Sequence, residues 1–224
     1  MEYIYQFNKS CKTFQIVGGT GTGKSFLLAS LLLEHEKMFE LKIESILYCY
    51  KTFQDKFYEL EAKLGEKIKF NEGLPSRELL SSVKTPCIVA LDDLYQECYN
   101  SAVIEQLYTV DNHHSNLIPI ILTQNCYYQG TKSRTINLNT QVIILTKCLR
   151  DIYQIRTLAR SMFNEHYKTV LEAYKDCEKE SKNNYFYLVL DASQGCDRRH
   201  KVRSSILSSD GCPVIYLPKS GEPM

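Results

Sequence analysis

Short apolar runs alternate along the chain with stretches whose apolar side chains recur at helical spacing. Phe14–Val17 is a short run ending in glycines. Ser25–Phe39 follows, with Leu27, Leu28, Leu31, Leu32 and Leu33 on a helical period. Ile43–Tyr50 reads as a strand and Ser76–Val83 as a short helix; no element is assigned between them. Pro86 opens Cys87–Leu91, a continuous apolar run of the kind that fills a central parallel strand buried on both faces. A helix is predicted over Asn100–Val110. Leu117–Leu122 is the next buried strand, with Pro119 placing it under local constraint, and Gln141–Thr146 is another. Asp151–Phe163 and His166–Lys179 read as helices. Tyr185–Leu190 and Val214–Leu217 are expected to close the sheet with antiparallel character at one edge. Strands alternating with helices predict an α/β architecture with a mainly parallel central sheet flanked by helices. No repeat, low-complexity tract or Pro/Gly/Ser linker interrupts residues 1–224, which predicts one domain.

Composition narrows the class. Hydrophobic residues make up 44% and charged residues 24% of the 224, the balance of a globular chain rather than a disordered one. No apolar stretch approaches the about 20 residues that span a bilayer. Met1–Lys12 carries acid and aromatics where a signal peptide would place a basic and then an apolar run, so a soluble, non-secreted protein is expected. The nine cysteines are scattered, odd in number and never spaced C-x-x-C, which fits reduced, buried thiols in a reducing, intracellular compartment and argues against structural zinc. Net charge is +1, but residues 1–130 are acidic on balance and residues 131–224 basic, with seven of the eight arginines in the second part. An ordinary solvated surface accounts for that asymmetry unless other signals add to it.

The most informative segment is Gly18-Gly19-Thr20-Gly21-Thr22-Gly23-Lys24-Ser25, a complete G-x-x-x-x-G-K-[ST] between an expected strand and an expected helix. Its glycines let backbone N–H groups point at phosphate oxygens, and the helix N-terminus adds partial positive charge. Lys24 supplies a point charge for the β- and γ-phosphates, and Ser25 a hydroxyl for a magnesium ion. The spacing predicts a bound nucleoside triphosphate with Mg²⁺. Cys87–Leu91 then ends in Asp92-Asp93, as a Walker B strand does. Asp92 would hold the metal through water, and Asp93 would be the base or water-orienting acid. Ile120–Leu122 leads into Thr123-Gln124-Asn125, where Gln124 could contact the γ-phosphate or the attacking water. These three phosphate-edge strands, with an extra strand at 43–50 between the first two in the chain, favour a P-loop NTPase of the additional-strand, RecA/FtsK-like class.

At this level the chain resembles the packaging ATPases of Polinton elements, adintoviruses and related eukaryotic DNA viruses, within the FtsK–HerA superfamily. The resemblance is strongest from His113-His114-Ser115-Asn116 through Leu122-Thr123-Gln124-Asn125, and through Arg134-Thr135-Ile136-Asn137-Leu138-Asn139 to Arg150-Asp151, Gln154-Ile155-Arg156 and Leu158-Ala159-Arg160. It returns in Leu171-Glu172-Ala173-Tyr174, Tyr187–Asp191 and Val214–Lys219, and is least informative from Thr52 to Pro75. It implies a homo-oligomeric ring, pentameric or hexameric, that hydrolyses ATP to pump double-stranded DNA into a preformed capsid at a capsid or portal vertex. Lys24, Ser25, Asp92, Asp93 and Gln124 keep the roles just described. Asp93 departs from the glutamate of many such motors; it retains the charge on a shorter arm. The resemblance also implies an arginine reaching the neighbouring subunit's site, with Arg156 the first candidate and Arg134 the second. DNA contact is expected from Arg198, Arg199, Lys201 and Arg203, the densest basic cluster, on a loop between the last two strands and reading phosphate rather than bases. Two other readings stand beside this one. One is a P-loop nucleoside or nucleotide kinase with Arg150, Arg156 and Arg160 as lid arginines; the other is a nucleotide-dependent switch in capsid assembly.

Overall fold

The computed structural model describes residues 6–10, 12–148, 152–181 and 185–219; Cys11, Arg150 and Asp151 lie outside them. Among the described residues eight strands form one sheet in the order β3-β2-β4-β5-β1-β6-β7-β8. They are β1 (Phe14–Val17), β2 (Ser45–Tyr50), β3 (Ile68–Glu72), β4 (Cys87–Asp92), β5 (Leu117–Thr123), β6 (Val142–Leu145), β7 (Leu188–Asp191) and β8 (Val202–Arg203). The first six run parallel, and β7 and β8 add antiparallel pairing at one edge.

Strand alternation sends neighbouring side chains to opposite faces, and each face is covered. Phe14, Ile16, Ile46, Tyr48, Ile88, Ile120 and Ile144 pack on one side under α1 (Lys24–Leu33), α2 (His35–Met38) and α3 (Lys56–Leu64). On the other side two clusters form. Leu47, Val89, Leu91 and Ile121 lie under a layer that includes α4 (Arg77–Ser82), α5 (Tyr95–Cys98), α6 (Ala102–Gln106), the short α7 (Asn112–His114) and α8 (Ser133–Leu138). Val17, Leu145, Leu188 and Leu190 lie under α9 (Ile152–Phe163) and α10 (Tyr167–Glu180).

Pro119 sits inside the sheet without breaking it. It pairs in register with Val89 of β4, and the pairing with β1 begins one residue later, at Phe14 opposite Ile120. The additional strand between β1 and β4 is β5, and β2 lies on the far side of β4. The strand that inserts between the two Walker strands is therefore the one bearing Gln124 at its end.

Several elements differ from the expected ones. The helix expected over Ser25–Phe39 breaks at Glu34, whose carboxylate accepts from the backbone N–H and hydroxyl of Ser208 (2.8 and 2.5 Å), so the C-terminal segment docks at the break. The helix expected over Asn100–Val110 begins at Ala102, capped by Ser101, and runs on to His114 with a π-helical turn over Leu107–Asp111. Val214–Leu217 is not a strand. Ile215 makes a single bridge to Arg203, and the edge strand is β8, because Val202 and Arg203 are buried while Val214 and Leu217 are exposed. The segment left without elements holds α3 and β3. Strand β3 is an edge strand with one buried residue, Ile68, and so lacks an apolar run; α3 buries Phe57 and Leu60 on a helical period.

Candidate functional site

The parallel strands end at one edge, and β1, β4 and β5 deliver there the glycine loop, Asp92-Asp93 and Gln124. The loop is tied down at its base from two sides. The Gly18 N–H donates to the Thr123 carbonyl at the end of β5 (3.1 Å), and the Gly19 N–H to the Lys147 carbonyl beyond β6 (3.2 Å). Within the loop the Thr22 hydroxyl donates to the Gly19 carbonyl (2.7 Å) and meets the Thr146 hydroxyl at 2.8 Å. Gly23 caps α1 at φ 85°, a conformation that suits glycine because a side chain there would clash with the backbone.

Gly18 is required for a different reason, close approach. A Cβ at that position would lie 1.8 Å from Thr146 Oγ1 and 2.9 Å from Thr22 Oγ1. Gly18→Ala is therefore expected to separate the Thr22–Thr146 pair and destabilise the chain by about 1–3 kcal/mol. Urea unfolding checks this; an unchanged midpoint would show that the loop has room which this geometry denies.

Asp92 is buried at 2% exposure and carries three donors. Ser25 Oγ donates to Oδ1 (3.0 Å), while Tyr48 Oη and Lys56 Nζ donate to Oδ2 (2.7 and 3.2 Å). Asp93 is exposed and adopts φ 57°, the left-handed region a non-glycine residue seldom occupies, just where the chain leaves β4. Lys24 Nζ donates to the carbonyls of Gly18 and Gly19 (2.7 Å each). Burial holds its ammonium below the ordinary lysine value, and Asp93 and Asp92 act against that shift.

A cavity of 1230 Å³ opens over the loop, lined by Thr20–Leu27, Asp93, Gln124 and Thr146 on one side. Across it stand Cys177 of α10, Tyr185–Tyr187 and parts of the 204–216 segment. Lys24 is the one basic side chain among the described residues lining it, against the acids Asp93, Asp176, Glu180 and Asp210. The expected residues thus converge: Thr20, Gly21, Thr22, Gly23, Lys24, Ser25, Asp93 and Gln124 face one cavity, and Asp92 binds Ser25 beneath it. The donor set fits a nucleoside triphosphate with a magnesium ion. A hydroxyl and a carboxylate are hydrogen-bonded to each other beside the phosphate loop, where a metal shared with the nucleotide's oxygens would sit. No cluster of three or more His, Cys, Asp or Glu suited to a metal occurs among the described residues.

The arginines lie elsewhere. Arg156 is exposed on α9 with its guanidinium 5.7 Å from the Tyr153 ring centroid, and Arg160 stacks 4.6 Å from that of Tyr167. Arg134 is exposed on α8. None of the three lines the cavity. Arg198 and Arg199 are exposed on a short turn between β7 and β8, where Arg199 pairs with Asp197 (2.7 Å), and Lys201 is half-buried. Arg203 corrects the expectation of a four-residue basic loop. It belongs to β8, is fully buried, pairs with buried Asp191 (3.2 Å), donates to the His200 carbonyl and lies 5.4 Å from the Phe7 ring centroid. A side chain enclosed in that way has no reach to DNA.

Sequence reasoning missed Tyr48 and Lys56, which hold Asp92, and Thr146, which braces the loop. A signal for Lys56 existed: Lys56-Phe57-Tyr58-Glu59-Leu60 begins an amphipathic helix. Nothing local marks Tyr48 or Thr146, whose partners are distant in sequence.

No family model matches the chain, and no curated protein matches it. Solved structures do. B204, the DNA-packaging ATPase from Sulfolobus turreted icosahedral virus, superposes with a TM-score of 0.54 over 94% of this chain and 98% of its own, at 11% identity. The genome packaging NTPase B204 from Sulfolobus turreted icosahedral virus 2, in complex with sulfate, gives 0.53 over 92% and 96%, at 14% identity. The fold is that of the P-loop NTPases. ATPases 2 and 3 of EssC from Geobacillus thermodenitrificans share it at a TM-score of 0.52 and 14% identity, over 93% of this chain and 43% of theirs. No helix among the described residues is long and apolar enough to cross a membrane.

Proposed function

We propose that this chain is an ATP-hydrolysing double-stranded DNA translocase of the FtsK–HerA superfamily that packages a viral or virus-like genome into a preformed capsid. The observation that carries the reading is the convergence of Lys24, Ser25, Asp92, Asp93 and Gln124 at one sheet edge. The fold around them is shared, nearly end to end, with the viral packaging NTPase B204. The resemblance in sequence to the Polinton and adintovirus packaging enzymes supports the same reading.

In this reading the loop amides and Lys24 bind the β- and γ-phosphates, and Ser25 and Asp92 would hold a magnesium ion, which when bound would supply positive charge at the phosphates. Asp93 or Gln124 positions the attacking water. The cavity supports a ring as well. Among the described residues one lysine lines the cavity with several acids, and an arginine from a neighbouring subunit would add positive charge for a triphosphate. Arg156 and Arg134, both exposed and outside their own cavity, are free of the site they would otherwise complete, with Arg156 the first choice. Arg198, Arg199 and Lys201 remain candidates for phosphate contacts in a central channel, and a capsid or portal vertex protein is the partner on which the ring would dock.

The test is steady-state ATP hydrolysis by the purified chain with and without long double-stranded DNA. Stimulation several-fold by DNA is the expected result. Hydrolysis indifferent to DNA but coupled to phosphorylation of an added nucleoside would replace the motor with a kinase. ATP binding without turnover would favour the assembly switch.

A further inference from the structure

Asp92 is held by more than the phosphate loop. A carboxylate at 2% exposure needs compensation for lost hydration, and two donors outside the Walker motifs provide it. Tyr48 lies two residues before the end of β2, which pairs with β4 in the register Tyr48–Ala90 and Tyr50–Asp92. Its ring is fully buried and wedged against Phe57 (centroids 4.9 Å) and Phe70 (5.6 Å), which themselves stack at 5.2 Å. That packing leaves the hydroxyl aimed at Asp92 Oδ2. Lys56 opens α3 beside Phe57, and its ammonium reaches the same oxygen while its side chain keeps 27% exposure. Both donors therefore depend on α3 and β3, the two elements packed around Tyr48.

We infer that Tyr48 and Lys56 are positioning residues that orient the Asp92 carboxylate toward a nucleotide-bound magnesium ion. The inference rests on the ATPase reading above and assigns it two further residues. With Oδ2 occupied by two donors from the α3 side, Oδ1, which already accepts from Ser25, is the oxygen turned to the metal site. Lys56 balances the Asp92 charge at the point where Asp93 adds a second one. Without these two contacts Ser25 alone of the three donors holds the carboxylate, and its terminal torsion is less constrained when a metal approaches.

The test measures binding rather than turnover. A fluorescent ATP analogue is titrated in EDTA and in magnesium, and the gain in affinity due to magnesium is compared between wild type, Tyr48→Phe, Lys56→Gln and Lys56→Arg. Tyr48→Phe and Lys56→Gln are expected to reduce that gain about tenfold, the weight of a hydrogen bond to a charged group, with binding in EDTA unchanged. Lys56→Arg should restore most of it, which a residue serving only to pack α3 would not show. Thermal unfolding confirms that each variant is folded. A magnesium gain kept at wild-type size in both Tyr48→Phe and Lys56→Gln overturns the inference alone. A wild-type chain with no magnesium-dependent binding overturns the ATPase reading, and this inference with it.

Discussion

Lys24→Ala is expected to lower ATP hydrolysis by at least about 100-fold, the scale of removing one preorganised group from a developing charge. The geometry makes the loss hard to replace. No other lysine or arginine among the described residues lines the cavity, while Asp93, Asp176, Glu180 and Asp210 do, so the phosphates would face acids without their one fixed cation. The same substitution should leave the fold intact. Among the described residues the ammonium donates to the carbonyls of Gly18 and Gly19, and the loop is anchored independently through Thr123, Lys147 and Thr146. Hydrolysis assays beside thermal unfolding separate the two effects. Activity close to wild type would mean that the glycine loop is not where the triphosphate reacts.

Arg203→Ala is expected to give the opposite profile, a loss of stability rather than of chemistry. Removing it takes the paired guanidinium away from the fully buried Asp191 carboxylate, which also accepts from Ser193 (2.6 and 3.0 Å). Breaking one side of such a buried pair costs about 3–5 kcal/mol, which should lower the unfolding midpoint by on the order of 10 °C. Arg198→Ala, on the exposed turn nearby, serves as the control and should stay within about 0.5 kcal/mol of wild type. A stable Arg203→Ala that binds DNA less tightly would restore Arg203 to the basic cluster from which its burial removes it.

These two residues show how far local pattern carries. Lys24 was legible because a phosphate loop is a contiguous motif whose chemistry is written in consecutive residues, with a strand before it and a helix after. Asp92, Asp93 and Gln124 were legible because each follows an apolar run long enough to be a buried strand. Arg203 was not legible. A run of basic residues reads the same whether solvated or enclosed, and what encloses Arg203 comes from Phe7 and Asp191, both remote in the chain. The edge of the sheet failed for a related reason. Val214–Leu217 has the composition of a strand, yet β8 formed at Val202–Arg203, where burial and pairing with β7 were available.

By itself the sequence determined the alternation of strands and helices, the six parallel strands but for β3, and the side chains that gather at the glycine-loop edge of the sheet, since periodicity and contiguous motifs are local properties. Tertiary structure alone decided which strand stands between the Walker strands, where the sheet ends, and that Tyr48 and Lys56 grip Asp92. It also decided that Gly18 has no room for a methyl group against Thr146. Those outcomes depend on which distant side chains arrive at one place, and burial and hydrogen-bond partners exist only after the chain has closed on itself.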